Sequence, residues 1–233
     1  MNSTQEIVTN LGGFEIRPLT NGLLFDESHG MYPTKMWGYV GDSKQYFGSE
    51  TSTVYGIVYE GEVVLEQGDK EKGQLTAGQY FSVVGEFALR GTGKITLVER
   101  LGFRGVFTIG GPIENRGRLS YIDGCSDSLL IYPPRLGDPV FNVLWFPHKI
   151  RQTMHIHPTI RFGFVIHGHG RCVTPEGEVP LLEGYVFKLS EMSQHCFFTD
   201  DSRMAIVAYH PDSDWGPTDG DHPMLNRTLI QGR

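Results

Sequence analysis

The sequence predicts an all-β protein, and three observations support this prediction. The chain has 233 residues, with 30 glycines, 13 prolines and 12% aromatic residues, so turn formers and strand-compatible side chains are both abundant. Short apolar segments recur between glycine and proline turns, which is the pattern of a sandwich or a jelly-roll barrel. No segment has a convincing helical period. A chain of this length can bury one large or two small β-cores.

The expected strands can be followed in order along the chain. Residues 11–25 are expected to be irregular structure on the edge of a barrel. In the second half, short apolar segments and a glycine turn at 168–170 predict seven strands, namely 140–146, 152–157, 161–167, 170–174, 185–189, 195–199 and 204–210. Beyond residue 210 the chain becomes an acidic tail, which we expect to be a solvated loop.

Two pairs of segments indicate an internal duplication. Residues 55–61 align with residues 162–168 and share two glycines and a valine with them, and residues 75–81 align with residues 181–187. Self-similarity of this kind indicates two copies of one structural unit. The polar, glycine-rich stretch near residue 112 is the expected linker. We therefore predict one barrel over residues 1–112 and a second over residues 113–233.

Three of the 9 histidines are placed to bind one metal ion. His155 and His157 are two residues apart on an expected strand, so both point to the same face. His195 lies between two apolar half-strands, where a neighbouring strand could bring it beside them. Three imidazoles suit a divalent transition metal and leave coordination positions open. The alternative is a chance His-x-His pair on a polar strand face.

The spacing of these histidines resembles the two-part signature of the cupin superfamily, G-x5-H-x-H-x3,4-E-x6-G followed by G-x5-P-x-G-x2-H-x3-N. His155, His157 and His195 stand at its histidine positions, and Gly184 begins its second part. Arg161 stands where the family has glutamate, and other signature positions are replaced by Lys149, Ser190, Met192 and Thr199. The resemblance implies two tandem cupin (jelly-roll) barrels. The C-terminal barrel would hold the metal on three histidines, and the N-terminal barrel would be degenerate, without ligands.

Strand alternation selects further site residues. Arg161 has inward parity on the strand after the histidine pair, and a guanidinium holds carboxylate or phosphate through two hydrogen bonds although it cannot bind a cation. We expect Arg161 to anchor an anionic substrate and to take part in catalysis. The alternative is that it turns toward the barrel mouth and pairs with an acidic residue. Phe197 and Trp145 are expected to line the pocket and to contact the substrate.

The resemblance leads to three functional hypotheses. The three-histidine arrangement resembles that of cupin iron(II) dioxygenases, which act on thiols, diketones and hydroxylated aromatic acids, so our leading hypothesis is an Fe(II) oxygenase of a small anionic metabolite. The second keeps the ligands and uses Zn, Mn or Ni as a Lewis acid for isomerisation, dehydration or lyase chemistry; Cu also suits imidazole. Its general base would be Tyr185, Tyr209 or His148. The third is a non-catalytic small-molecule-binding cupin.

Composition narrows the partners and the cellular location. A net charge of -7 and a pI of about 5.7 give no attraction for nucleic acid or an anionic membrane. No apolar run approaches the roughly 20 residues of a membrane span. The N-terminus lacks signal-peptide features, and three cysteines do not suggest a disulfide framework. We therefore expect a cytoplasmic protein whose partners are a small-molecule substrate and, for an oxygenase, O2. A homodimer is left open.

Overall fold

The computed structural model describes residues 9–135 and 137–212. In these residues the chain forms nineteen strands and one 3-10 turn at Ile122–Gly124, which confirms the all-β prediction. The strands of the first half are β1 (Thr9–Leu11), β2 (Phe14–Pro18), β3 (Gly22–Glu27), β4 (Thr34–Gly41), β5 (Gln45–Phe47), β6 (Thr53–Gln67), β7 (Lys70–Thr76), β8 (Tyr80–Val84), β9 (Phe87–Arg90), β10 (Gly93–Arg100) and β11 (Thr108–Gly110). Those of the second half are β12 (Leu119–Ser120), β13 (Ser126–Ile131), β14 (Val140–Phe146), β15 (Arg161–Thr174), β16 (Gly177–Leu182), β17 (Tyr185–Leu189), β18 (Cys196–Phe198) and β19 (Met204–His210). The acidic tail from residue 213 onward lies outside the described residues.

The strands form two sheets with the same central order. One sheet runs β11-β8-β6-β10-β4-β3, with β5, β7 and β9 attached to it. The other runs β1-β2-β17-β15-β19-β14-β13-β12, with β16 and β18 attached to β15. The first sheet from β8 to β3 therefore matches the second from β17 to β13, strand for strand. Both sheets are antiparallel throughout these pairings.

The sequence duplication corresponds to one structural position in each sheet. Gly56 of β6 pairs with Phe81 of β8, and Gly163 of β15 pairs with Phe187 of β17. The phenyl ring lies directly over the glycine in both cases. A Cβ atom on Gly56 would be 2.4 Å from Phe81 Cζ, and one on Gly163 would be 2.0 Å from Phe187 Cζ. The aligned segments therefore share a steric requirement for glycine.

The N-terminal strands join the sheet of the second half. Residues 11–25, expected to be irregular, instead contribute to three strands, and β2 pairs with β17 at a sheet edge. Lys188 of β17 forms ion pairs of 2.6 Å with both Glu15 and Glu27. β2 is regular because Phe14 and Ile16 alternate with polar residues and are buried in the apolar core of the second half, called here the second-half core. The domain boundary near residue 112 stays a prediction, with residues 14–18 paired across it.

Most of the predicted strands around the candidate site are confirmed. The bounds of β14, β17 and β19 are those expected from the sequence, and β15 continues through the expected turn at 168–170. The expected strand 152–157 is wrong. The Gln152 amide donates a hydrogen bond to the Phe197 carbonyl, and the His155 amide donates one to the His195 carbonyl. Between these two bonds the chain advances three residues in the first segment but only two in the second. This extra residue interrupts the ladder as a β-bulge does, and only isolated bridges remain.

Both faces of the second sheet are buried, and each face packs in a different apolar core. On β14, Leu144 and Phe146 lie in the core inside the sheet, whereas Val143 and Trp145 lie in the core shared with the first sheet. The interior of the first sheet is filled by its own apolar core, which includes Val54 and Leu89. Within the described residues no helix has the length and apolar character that crossing a membrane requires.

Candidate metal centre

Three histidines converge inside the second sheet. The ligand atoms of His155, His157 and His195 lie within 4.8 Å of one another. Their ring centroids are 5.2 Å apart for His155 and His157, 4.5 Å for His155 and His195, and 5.0 Å for His157 and His195. The prediction that these three side chains lie close together is therefore confirmed. Their role as ligands stays a prediction.

Hydrogen bonds fix two of the rings. His155 Nδ1 lies 2.8 Å from the carbonyl oxygen of Thr153, and His195 Nδ1 lies 2.9 Å from that of Ser193. A carbonyl only accepts, so Nδ1 carries the proton in each ring and Nε2 keeps its lone pair. His195 Nε2 is buried without a hydrogen-bond partner in the described part of the chain. Metal-binding histidines commonly have this arrangement, with the second ring nitrogen held by a carbonyl.

The surroundings keep the imidazoles of His157 and His195 neutral. The pKa of His157 is lowered to about 2, chiefly by burial and to a smaller extent by Arg161 and the neighbouring histidines. Burial also lowers the pKa of His195 to about 4, with smaller contributions from His155 and Arg161 and an opposing one from the Ser193 carbonyl. A histidine binds metal in its neutral form. The cluster is therefore ready to bind a cation at neutral pH.

The donor set fits a divalent transition metal. Three neutral nitrogens suit Fe, Zn, Mn, Ni or Cu and leave positions for other ligands. The cluster of the described residues contains no carboxylate, so an ion held there would keep its full double positive charge. Such a site favours an anionic ligand.

A cavity of about 730 Å³ adjoins the histidines. This volume is typical of small-molecule sites. Its apolar walls are built by inward-facing residues of the strands around it, among them Leu144, Phe187, Leu189, Phe197, Ile206 and Ala208. The predicted position of Phe197 is confirmed, since its ring lies 5.6 Å from the ring of His195.

Arg161 lies in the wall of the same cavity and is 3% exposed. Its Nη1 donates hydrogen bonds to the carbonyl oxygens of Thr159 at 2.9 Å and Ile160 at 3.1 Å, and to the Thr159 hydroxyl. Its inward parity is therefore confirmed. A buried cation beside neutral histidines is placed to attract an anion.

Trp145, predicted to contact the substrate, lies on the other face of β14. Its ring packs in the core between the sheets, 6.3 Å from the ring of His167, with the Arg203 guanidinium 5.4 Å above it. The residues of β14 that line the cavity are Val140, Asn142 and Leu144, which have the opposite parity. The prediction was wrong because both faces of this strand are buried and carry mostly apolar residues.

The three predicted general bases also lie away from the cavity. Tyr209 is fully buried in the core between the sheets, with its ring 5.3 Å from that of Tyr55. Tyr185 packs against the outer part of the second-half core, at the start of β17. His148 Nδ1 lies 2.9 Å from the carbonyl oxygen of Asp201, in a separate surface cleft. None of the three lines the cavity.

Polar residues that the sequence prediction missed line the cavity instead, among them Asp127, Asn142 and Gln152, and His210, expected near the mouth at the end of its strand, lines it as well. Parity on the correctly predicted strands β14 and β19 was a signal for Asn142 and His210. Asp127 had none, because β13 was not predicted. The ring of His210 lies 6.3 Å from that of His157, and Gln152 Oε1 accepts a 3.1 Å hydrogen bond from the Phe197 amide.

No protein-family model and no curated protein sequence matches the chain. Solved structures do match its fold. A Cupin 2 conserved barrel domain protein from Leptotrichia buccalis has a TM-score of 0.60 at 9% identity, over 87% of this chain and 91% of that chain. The putative glyoxylate-induced protein from Pseudomonas aeruginosa has a TM-score of 0.67 at 14% identity, over 93% and 94%. A salicylate 1,2-dioxygenase from Pseudaminobacter salicylatoxidans has a TM-score of 0.63 at 8% identity, over 91% and 87%. The chain therefore has the fold of cupin-domain proteins, and identities this low show the fold alone.

Proposed function

We propose that the chain is a two-barrel cupin enzyme with one metal centre in its C-terminal barrel, and that it is an Fe(II)-dependent dioxygenase of a small anionic metabolite. The matching strand orders of the two sheets support the two-barrel reading. The N-terminal barrel, with its filled interior, has a structural role.

The observation that carries the proposal is the state of the histidine rings. His155 and His195 have their Nδ1 atoms bound to main-chain carbonyls, and the buried Nε2 of His195 has no partner among the described residues. A buried nitrogen lone pair with nothing to bind is unfavourable in a protein interior. A metal ion shared with His155 and His157 would satisfy it.

Different residues around the cavity would have different roles in such an enzyme. When bound, iron would supply Lewis acidity and electron exchange with O2. Arg161 would hold the anionic group of the substrate through charge-assisted hydrogen bonds. Phe187 and Phe197 would exclude water and orient the body of the substrate. That a salicylate 1,2-dioxygenase has the same fold is consistent with this chemistry.

A Lewis-acid isomerase, dehydratase or lyase is the second candidate. It needs a group that moves a proton at the substrate. Tyr185, Tyr209 and His148 do not line the cavity, but Asp127 and His210 do. These two residues are the specific observation in favour of this candidate, with Zn, Mn or Ni as the metal.

The test is metal analysis of the chain purified without chelator, followed by oxygen-electrode assays of the iron(II)-loaded protein. The assay panel contains thiols, diketones and aromatic and aliphatic acids. His157→Ala removes one proposed ligand, and His169→Ala changes an exposed histidine that lies outside the cluster, so it is the matched control.

About one equivalent of metal per chain with substrate-dependent oxygen uptake, both lost in His157→Ala and kept in His169→Ala, is the expected result. Metal binding without oxygen uptake by any compound would favour the Lewis-acid candidate. Wild-type protein that binds no metal would contradict both enzymes and leave a small-molecule-binding cupin.

A further inference from the structure

A polar pair lies in the cavity wall, on strands that carry none of the three histidines. Asn142 of β14 and Asp127 of the neighbouring β13 both line the cavity. Asn142 Nδ2 donates a 3.0 Å hydrogen bond to Asp127 Oδ1. Asn142 is 3% exposed, and its Oδ1 is buried and accepts no hydrogen bond from the described residues. A buried amide oxygen is thus available at the wall of a ligand-sized cavity.

The partner sets the orientation of this amide. A carboxylate oxygen only accepts hydrogen bonds, so the amide nitrogen of Asn142 faces Asp127 and its oxygen points away. Burial raises the pKa of the Asp127 carboxyl, and hydrogen bonds from Asn142 and from the Ser128 backbone oppose that rise. Buried polar groups are nearly always hydrogen-bonded in folded proteins. A molecule bound in the cavity would supply a donor to Asn142 Oδ1.

The pairing of β14 with β19 locates this amide relative to the histidines. Val140 pairs with His210, and the next cavity-facing residue, Asn142, pairs with Ala208. Two residues along an antiparallel strand span about 7 Å. The ring of His210 lies 6.3 Å from the ring of His157. Asn142 therefore stands one side-chain layer beyond His210, within reach of a small molecule held at the histidines.

We propose that Asn142, held by Asp127, determines specificity by accepting a hydrogen bond from a hydroxyl or amino group of the substrate. This inference rests on the proposed function, which assigns the anionic group of the substrate to the metal centre and Arg161. The substrate class is then a small carboxylate that carries a hydrogen-bond donor about one side-chain layer away from its carboxylate. The apolar walls at Phe187 and Phe197 contact the body between the two polar ends.

The test is binding of matched probe pairs to the full chain by isothermal titration calorimetry. Hydroxybenzoates and aminobenzoates are compared with methylbenzoates substituted at the same ring position, and 4-hydroxybutyrate is compared with pentanoate. A methyl group is similar in size to a hydroxyl but cannot donate. We expect at least one donor-bearing probe to bind about tenfold more tightly than its methyl partner, because a site built around a hydrogen bond rejects the analogue that lacks it.

Asn142→Leu removes the acceptor at similar volume and should bring this ratio close to one. The variant leaves the Asp127 carboxyl without its amide donor and can fold poorly for that reason. The double variant Asp127→Leu/Asn142→Leu is therefore the second test, because it removes the acceptor without leaving a buried carboxyl that has lost its amide donor. Leu129→Ile changes an apolar residue of the same wall and should keep the wild-type ratio.

Equal affinities within every pair would overturn the inference, and so would the absence of measurable binding by any donor-bearing probe at millimolar concentration. An unchanged ratio in both Asn142 variants would overturn it as well. Metal content and oxygen uptake are measured separately and decide the proposed function. A chain that discriminates the pairs but binds no metal would keep the role of Asn142 and remove the enzyme.

Discussion

His155 and His195 are joined through their backbones, with each amide nitrogen 3.0 Å from the carbonyl oxygen of the other residue. Their rings lie 4.5 Å apart as a direct result. The third histidine is held in a similar way, since the carbonyl of His157 accepts a 2.8 Å hydrogen bond from the Met192 amide. Main-chain hydrogen bonds therefore help to bring the three rings together.

Metal removal should lower the thermal stability of the chain without changing its secondary structure. A metal that binds only the folded state stabilises it in proportion to the logarithm of its concentration over its Kd, by about 2.7 kcal/mol at a hundredfold excess. Chelator treatment should thus lower the melting temperature by several degrees, with an unchanged far-ultraviolet circular dichroism spectrum. Reloading should restore it in wild type but not in His195→Ala. Loss of the β-spectrum on chelation would show that the metal builds the fold.

The metal-free protein should lose stability as the pH falls from about 6.5 toward about 4. Burial lowers the pKa of His195 to about 4 in the folded state, whereas an unfolded histidine titrates near pH 6.5. The unfolded chain therefore binds more protons in this window, and the free energy of unfolding decreases with decreasing pH. The shift at His195 corresponds to on the order of 3 kcal/mol.

Denaturant unfolding in the presence of chelator, at several pH values across this window, measures the effect. His195→Gln removes the titrating ring, and the difference between the two proteins cancels the contributions of other groups. A slope with pH that is equal in both proteins would contradict the prediction.

The sequence was sufficient for the all-β fold and for the convergence of the three histidines. The apolar runs of β14, β17 and β19 are bounded by turns, so their ends were predictable. The face of each strand that points into the interior of the sheet was not predictable. Trp145 and Tyr209 lie on strands whose two faces are both buried, one inside the sheet and one between the sheets. Burial on both faces removes the polar alternation that identifies an interior face.

The polar wall of the cavity could not be predicted for a different reason. Asp127 reaches Asn142 because β13 pairs with β14 in a register that sets Asp127 opposite Leu144 and Leu129 opposite Asn142, so the two polar residues are diagonal neighbours. The register between two strands depends on long-range packing and on the geometry of the turn between them. Neither can be read from the sequence alone. The hydrogen-bond partner of a buried amide is therefore visible only in the structure.

Arg161→Lys should weaken the binding of anionic substrate by about ten- to a hundredfold and leave the metal content unchanged. Lysine keeps the charge but cannot reproduce the planar fork of donors that holds a carboxylate. Arg161→Met should weaken substrate binding further. Because the guanidinium lowers the pKa of His157, its removal should not reduce metal affinity. Substrate Kd and metal stoichiometry of each variant provide the check; loss of metal with unchanged substrate affinity would contradict the anchoring role.

Tyr209→Phe should leave turnover within about twofold of wild type, because the phenol lies in the core between the sheets and not at the cavity. Tyr209→Ala should destabilise the chain by about 3 to 5 kcal/mol through the void it creates against Tyr55. Steady-state kinetics and denaturant unfolding separate the two effects. A hundredfold loss of turnover in a fully folded Tyr209→Phe protein would contradict this prediction and indicate that Tyr209 takes part in catalysis.

Gly163→Ala should damage the cavity and the fold together. The new Cβ would lie 2.0 Å from Phe187 Cζ, so the ring must move, and Phe187 is one wall of the cavity. Overpacking of this kind costs about 1 to 3 kcal/mol, and the displaced ring should also raise the substrate KM.

Gly56→Ala, in the matching position of the other sheet, gives the comparison. Its Cβ would meet Phe81 at 2.4 Å, so a similar loss of stability is expected, but Phe81 lies in the first-half core and the KM should stay unchanged. Gly30→Ala is the control, because its nearest atom would be the Glu27 carbonyl oxygen at 3.4 Å. Unfolding free energies and KM values of the three variants test the reasoning. Equal effects of Gly163→Ala and Gly56→Ala on KM would mean that the ring of Phe187 does not control access to the cavity.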